Sequence, residues 1–267
     1  MTAASNVHGT ALVGATADIL DRVRAHAPRV HCITNVAAQV LTANMLLAVG
    51  AVPSLTISPD EVASFVASAD ALLINLGTFD ANRREAVEIA LDEADEDRTP
   101  WVLDPVLCDR SEARVAFARV LAAREPEVVR ANQAEIAALT DRDPTPAVCD
   151  RFALDNMTVL AVTGATDLVT DGAKRLMIAS GHPLMARATA VGCAGTALIA
   201  ACLAVEDDPF LATAAGLLAL GVAGEVAATG ARGPGTLVPR LIDAVYLLDR
   251  HTLGVHAKLD GPLDVVS

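Results

Sequence analysis

Ala188-Thr189-Ala190-Val191-Gly192-Cys193-Ala194-Gly195-Thr196-Ala197-Leu198-Ile199-Ala200-Ala201 opens with small, turn-permissive residues and passes into an apolar run of helix formers. The pattern predicts a loop that becomes a helix near Gly192 and Cys193. The first turn of a helix carries backbone N–H groups with no internal partner, at the positive end of the helix dipole. Such a terminus binds phosphate, and glycine lets the anion reach the backbone. A thiol there is expected to have a lowered pKa, because the terminus stabilises thiolate. One short segment thus offers a phosphoryl cradle with a base beside it. The same letters also have a structural reading. Glycine- and alanine-rich helix starts are common, and most cysteines in apolar helices are small core residues.

Outward from this helix the chain repeats one pattern, an apolar run followed by a helix. Runs at residues 30–33, 52–57, 71–76, 101–103, 128–129 and 158–162 read as buried strands. Helices are expected over 36–49, 58–67, 82–95, 112–123, 133–139, 209–229 and 237–249. A short amphipathic helix over 18–27 follows a flexible tail at 1–15, and 141–146 reads as a loop. Residues 167–170 and 174–179, joined across Asp171-Gly172, read as a hairpin. Strands that are apolar throughout and alternate with helices define an α/β fold. Its central sheet is mainly parallel and covered by helices on both faces. Residues 16–267 are expected to form one domain.

Composition narrows the function. The chain has 267 residues, of which 33 are acidic and 20 basic, for a net charge of −13. That balance argues against a nucleic-acid partner and against an anionic membrane surface. A nucleotide ligand stays open, since it needs only a few local donors and a metal ion. Five unpatterned cysteines suggest a reducing, cytoplasmic setting without a disulfide frame or zinc site. Residues 1–16 lack the basic and apolar regions of a secretory signal. The apolar part of 188–205 is short for a membrane span.

Ligands of open α/β sheets sit beyond the carboxyl ends of the strands. Polar groups recur at those ends here: Thr34-Asn35, Asn75, Asp104, Arg130, Asn132 and Thr163. Asp104 suits a hydrated Mg²⁺, which takes one or two carboxylates plus phosphate oxygens and water; it equally suits a turn. Asn132-x-x-Glu135 reads as a capping box, or, beside a phosphate-clasping Arg130, as a carboxylate that orients metal-bound water. Thr163-Gly164 offers a hydroxyl and a backbone N–H at a strand end. Neither G-x-x-x-x-G-K-[ST] nor G-x-G-x-x-G occurs, so those nucleotide modes have no support.

One ordered set of motifs carries a resemblance. Ile33-Thr34-Asn35, Ala43-Asn44 with Gly50-Ala51, Asn75-Leu76-Gly77-Thr78 and Leu103-Asp104-Pro105-Val106 come first. Arg130-x-Asn132-x-x-Glu135-Ile136, Val162-Thr163-Gly164, Gly181-His182-Pro183-Leu184-Met185 and Gly192-Cys193 follow. Together, over about residues 18–250, they resemble hydroxyethylthiazole kinases of the ribokinase-like superfamily. The resemblance implies phosphorylation of 4-methyl-5-(2-hydroxyethyl)thiazole on its side-chain hydroxyl in thiamin salvage, with ATP as cosubstrate and Mg²⁺ as cofactor. It implies a homotrimer with active sites between subunits. Cys193 falls where most ribokinase-like kinases place an aspartate base. Arg130, Thr163, Gly164, Asn35 and Gly192 match ATP contacts, and Asp104 with Glu135 the metal neighbourhood. Leu55, Ala190 and Asn35 fall at substrate positions, Leu55 where the family commonly has methionine and Ala190 where it has glycine. The loop Thr189-Ala190-Val191-Gly192-Cys193 departs from the family's Thr-Gly-Thr-Gly-Cys. The alternatives are another ribokinase-like kinase of small alcohols, of the hydroxymethylpyrimidine or pyridoxal type, and a non-catalytic thiazole or nucleotide binder.

Overall fold

The computed structural model describes the backbone of residues 3–260 and 264–265 and the side chains of residues 10–260. The first half of the chain runs α1 (Ala3–His26), β1 (Arg29–Ile33), α2 (Gln39–Val49), β2 (Val52–Ser54), α3 (Val62–Val66), β3 (Ala71–Asn75), α4 (Ala81–Asp97) and β4 (Trp101–Asp104). After a 3-10 turn come α5 (Glu112–Ala122), β5 (Val128–Asn132), α6 (Gln133–Thr140), α7 (Pro146–Asp155) and β6 (Val159–Thr163). The hairpin β7 (Asp167–Thr170) and β8 (Lys174–Ile178) precedes α8 (Val191–Leu203), α9 (Pro209–Thr229), α10 (Pro234–Tyr246), α11 (Arg250–His256) and β9 (Asp264–Val265).

The strands form one sheet in the order β2-β1-β3-β4-β5-β6-β7-β8-β9. The first six are parallel and the last three pair antiparallel. The mainly parallel sheet of the sequence reading is therefore present, with the hairpin added at one edge. β3 explains why its run is apolar throughout: Ala71 and Leu73 face one helix layer, Leu72 and Ile74 the other, and all four are fully buried. Each such large side chain removed from water stabilises the fold by roughly 1.5–3 kcal/mol. One layer holds α1, α2, α8, α9 and α10; the other holds α3 to α7. α9 is long and apolar enough to cross a membrane, yet most of its surface is buried inside the protein, as a helix apolar on every side requires.

Besides end shifts at α2 and α10 and the added α11, four elements differ from the sequence reading. α1 covers Ala3–His26, so a helix stands at residues 3–15 where the reading has a flexible tail; residues 1 and 2 lie outside the described part. β2 stops at Ser54, because it is a sheet-edge strand with one neighbour. α3 begins only at Val62, since Thr56 and Glu61 bond each other and hold 55–61 as a loop. α7 is an added element, opened by Pro146 at its first position and capped by Thr145 Oγ1, which accepts from Val148 N.

The strand order reverses at β1. The chain leaves β1 to one side for β2 and returns to the other side for β3. The crevice beyond the ends of β1 and β3 is the ligand position in open sheets of this kind. Asn35 and Asn75 stand there.

Candidate active site

β3 and β4 run in register, with Asn75 opposite Asp104. Both side chains emerge at the carboxyl rim and meet: Asn75 Nδ2 donates to Asp104 Oδ2 at 2.7 Å. Asn75 Oδ1 accepts from Asn35 Nδ2 at 2.9 Å and from Gly77 N at 3.0 Å. Asn35 Nδ2 also donates to Cys193 Sγ at 3.4 Å. From α8, Thr196 Oγ1 donates to Asp104 Oδ2 at 3.0 Å. The ends of β1, β3 and β4 and the first turns of α8 are thereby tied into one buried polar cluster.

Arg130, on β5, enters the cluster from the other side. Its Nη1 lies 3.9 Å from Asp104 Oδ1. Its guanidinium also covers Gly192, where an added Cβ would sit 2.9 Å from Nη2. Only glycine permits that approach. The structure thus brings Asp104, Arg130, Gly192, Cys193 and Asn35 to one place, at the start of the helix on which the sequence reading centres.

The electrostatics follow from burial. Asp104 is fully buried, and loss of water pushes its carboxyl above the usual range, against the opposing pull of Arg130, Thr196 and Asn75. Its Oδ1 has no hydrogen-bond partner. A buried carboxylate oxygen left bare in this way is costly unless a cation or donor completes it. The thiol of Cys193 corrects the sequence expectation. Burial first, and the Asp104 carboxylate second, push it up to about 11, so the helix terminus does not make it a thiolate.

Glu135 is buried and makes the capping box at the start of α6. Asn132 Oδ1 accepts from Glu135 N at 3.0 Å, and Glu135 Oε2 accepts from Asn132 N at 2.8 Å. Its Oε1 accepts from Leu107 N at 2.8 Å, which holds the loop after β4. Burial raises the Glu135 carboxyl, and the Asp104 charge adds to the rise. Thr163 stands at the end of β6 opposite Asn132, with Oγ1 donating to Ala131 O at 3.4 Å. Gly164 N donates to Asp167 Oδ1 at 2.9 Å. Ala190 is the N-cap of α8 and holds a left-handed φ of 67°. Leu55 stands apart from this hydrogen-bonded cluster. It follows β2 at the sheet edge and lines a depression of about 590 Å³ with residues 56–60, Asn82 and Glu85.

The residues present fit Mg²⁺ in part. Asp104 Oδ1 accepts no hydrogen bond and has only the Arg130 guanidinium beside it, whereas both Glu135 oxygens already accept backbone N–H groups. No group of three or more His, Cys, Asp or Glu side chains gathers among the described residues. A sparse carboxylate set of this kind suits Mg²⁺ completed by phosphate and water.

Sequence reasoning did not single out Thr196 as a site residue, nor use Asn75 beyond its strand end. Thr196 carries one signal, its place one helical turn after Gly192.

A mainly parallel α/β sheet whose rim aspartate and arginine meet at the first turn of α8 has the ribokinase-like fold, shared with a ribokinase-like protein of Enterococcus faecalis at 15% identity and a TM-score of 0.65. The Hydroxyethylthiazole kinase family profile matches residues 20–251. A probable hydroxyethylthiazole kinase of Agrobacterium fabrum is 41% identical over 244 residues, covering 91% of this chain and 94% of that protein. A hydroxyethylthiazole kinase of Granulibacter bethesdensis is 44% identical, covering 86% and 89%. The solved structure of hydroxyethylthiazole kinase from Pyrococcus horikoshii superposes with a TM-score of 0.88 at 34% identity, covering 92% and 98%. Pyridoxal kinase from Staphylococcus aureus, at 14% identity and a TM-score of 0.61, shares the fold. The chain belongs to the hydroxyethylthiazole kinase family.

Proposed function

We propose that the chain transfers the γ-phosphoryl group of ATP to the side-chain hydroxyl of 4-methyl-5-(2-hydroxyethyl)thiazole, in thiamin salvage. The observation that carries this reading is the convergence of Arg130, Asp104 and Cys193 on the first turn of α8, with Gly192 beneath the guanidinium. Phosphoryl transfer passes through a loose transition state, so positioning and charge neutralisation supply most of the rate. Arg130 and the Gly192 and Cys193 N–H groups face the transferring phosphoryl oxygens. Thr163 and Gly164 stand on the nucleotide side, and the Gly164 amide leaves Asp167 to serve there. Asn35 faces both substrates. Asp104, with Glu135 behind it, would hold Mg²⁺, which when bound would supply positive charge at the phosphates.

Cys193 stands at the acceptor hydroxyl. A thiol titrating near 11 is a poor base towards a free alcohol. Once the new O–P bond has formed, the hydroxyl proton is acidic; Cys193 Sγ takes it as the thiol passes its own proton to the Asp104 carboxylate, which leaves Cys193 a thiol and Asp104 protonated. The proton therefore moves late. Leu55 and Ala190 shape the thiazole end.

The active form is a homotrimer with sites between subunits. Val40 and Leu47 on α2, with Val36 in the turn before it, are exposed and apolar, beside exposed Val52 on the outer strand β2. Patches of this kind mark association surfaces. Leu55 lies at the same edge. A cytoplasmic location agrees with the five cysteines, all free and buried.

The test is ADP release with MgATP and a panel of alcohols, with sedimentation to weigh the assembly. Turnover with hydroxyethylthiazole well above pyridoxal and hydroxymethylpyrimidine supports the reading. Binding without ADP release favours a non-catalytic binder.

A further inference from the structure

We infer that Arg114 is a positioning residue that buckles together the two loops carrying the reaction centre. Asn75 and Asp104 are paired in register, and Gly77 and Val106 each lie two residues further along their strands' exits. Arg114, on the first turn of α5, donates from Nη1 to Gly77 O and to Val106 O, both at 3.1 Å. The two hydrogens of one terminal nitrogen thus grip equivalent points of both loops. The guanidinium carbon sits 5.6 Å from the centre of the Phe79 ring, in the same loop as Gly77. That ring packs on Phe117 of α5, with centroids 5.7 Å apart. A cation over an aromatic face has its position fixed at little cost in hydration.

Each gripped loop reaches a different half of the site. Gly77 N donates to Asn75 Oδ1, and Asn35 packs so closely on Gly77 that a Cβ there would lie 2.5 Å from the asparagine Cβ. Thr78 Oγ1 accepts from Val36 N at 3.2 Å, which fixes the residue after Asn35. This half leads to Cys193. Val106 precedes Leu107, whose N–H is held by Glu135 and whose φ is 60°, a left-handed conformation that a leucine does not adopt unaided. This half leads to Asp104 and the capping box below Arg130. Arg114 touches neither reacting group; it sets the distance between the acceptor half and the phosphate half. A misplacement on the order of 1 Å between such halves costs about 10²-fold in rate.

The kinetic readout rests on the proposed phosphoryl transfer, so the parent protein is assayed alongside. Arg114→Met keeps the apolar stem, and Arg114→Lys keeps the cation and its donors. In folded Arg114→Met, kcat is expected to fall roughly 10- to 100-fold, with KM for both substrates within about threefold. Arg114→Lys recovers at least about fivefold of that loss. Hydrogen exchange of peptides spanning residues 76–80 and 105–110 rises in both loops of Arg114→Met. A folded Arg114→Met with kcat within about twofold of the parent overturns the assignment, as does a loss that follows the unfolded fraction without recovery in Arg114→Lys. If Arg114→Met does not fold, Arg114→Lys is judged by exchange in the two loops, and parental exchange with a large kcat loss overturns it. If the parent itself releases no ADP, the proposed reaction fails, and exchange alone decides whether Arg114 holds the two loops.

Discussion

Gly192→Ala separates stability from catalysis at the one point where the backbone of α8 meets Arg130. The added Cβ would lie 2.9 Å from Nη2, 3.1 Å from Nη1 and 3.3 Å from Cζ. Ordinary contact begins near 3.4 Å, so the guanidinium retreats by about half an ångström. The obstacle is the far end of a flexible side chain, and the fold yields there cheaply. Gly192 is the second residue of α8, where alanine gains up to about 1 kcal/mol of helix propensity. Tm therefore stays level or rises, by no more than about 4 °C. The phosphate clasp does not survive the shift intact. Losing one charge-assisted hydrogen bond costs about 1.5–3 kcal/mol, or roughly ten- to hundredfold in kcat/KM for ATP. Steady-state kinetics at saturating thiazole alcohol and a thermal melt on the same sample make the comparison. An alanine variant with parental kcat/KM for ATP and parental Tm would refute the claim that Gly192 exists to seat Arg130.

Three further outcomes follow from the same geometry. Cys193→Ala is expected to lower kcat by about 10² while ATP affinity, read by calorimetry, changes less than threefold; unchanged turnover removes the thiol from the reaction. Ala190→Gly relieves a left-handed φ of 67° and gains about 0.5–1 kcal/mol in urea denaturation, and a lower midpoint contradicts that strain. Burial pushes the His31 imidazole down to about 4 from an ordinary 6.5, with its Nδ1 bonded to Ser54 Oγ. The unfolded chain then binds a proton that the folded chain refuses, so this contribution is complete above pH 6.5 and is lost as pH falls towards 4. Its size is about 3 kcal/mol. The stability gap between the parent and His31→Gln should shrink by that amount between pH 7 and pH 4, and a constant gap contradicts it.

Strand ends were legible because apolar runs buried on both faces stop abruptly at Asn75, Asp104, Arg130 and Thr163. The opening of α8 was legible for a similar reason, with small residues giving way to helix formers. Local rules misled where a partner distant in sequence decides. The helix terminus argued for a thiolate at Cys193, but burial in the folded core, and after it the Asp104 carboxylate delivered by β4, reverses the sign. Thr145-Pro146 was legible as a loop, although the same pair is a good N-cap and first helical residue for α7. Residues 55–57 looked like strand because they are apolar, yet an edge strand lacks the second neighbour that would extend it. Arg114 carries no local signal at all. Its role arises only where α5 crosses the two loops, a tertiary fact that periodicity does not encode.

The central claim is that one cradle, at the start of α8, holds both the transferring phosphoryl group and the acceptor hydroxyl. A crystal structure with a non-hydrolysable ATP analogue, Mg²⁺ and hydroxyethylthiazole tests it directly. The terminal phosphate is expected to lie against Arg130 and the Gly192 and Cys193 amides, with the hydroxyl beside Cys193 Sγ. A terminal phosphate bound in a different cavity, with Arg130 and Asp104 untouched, would contradict it.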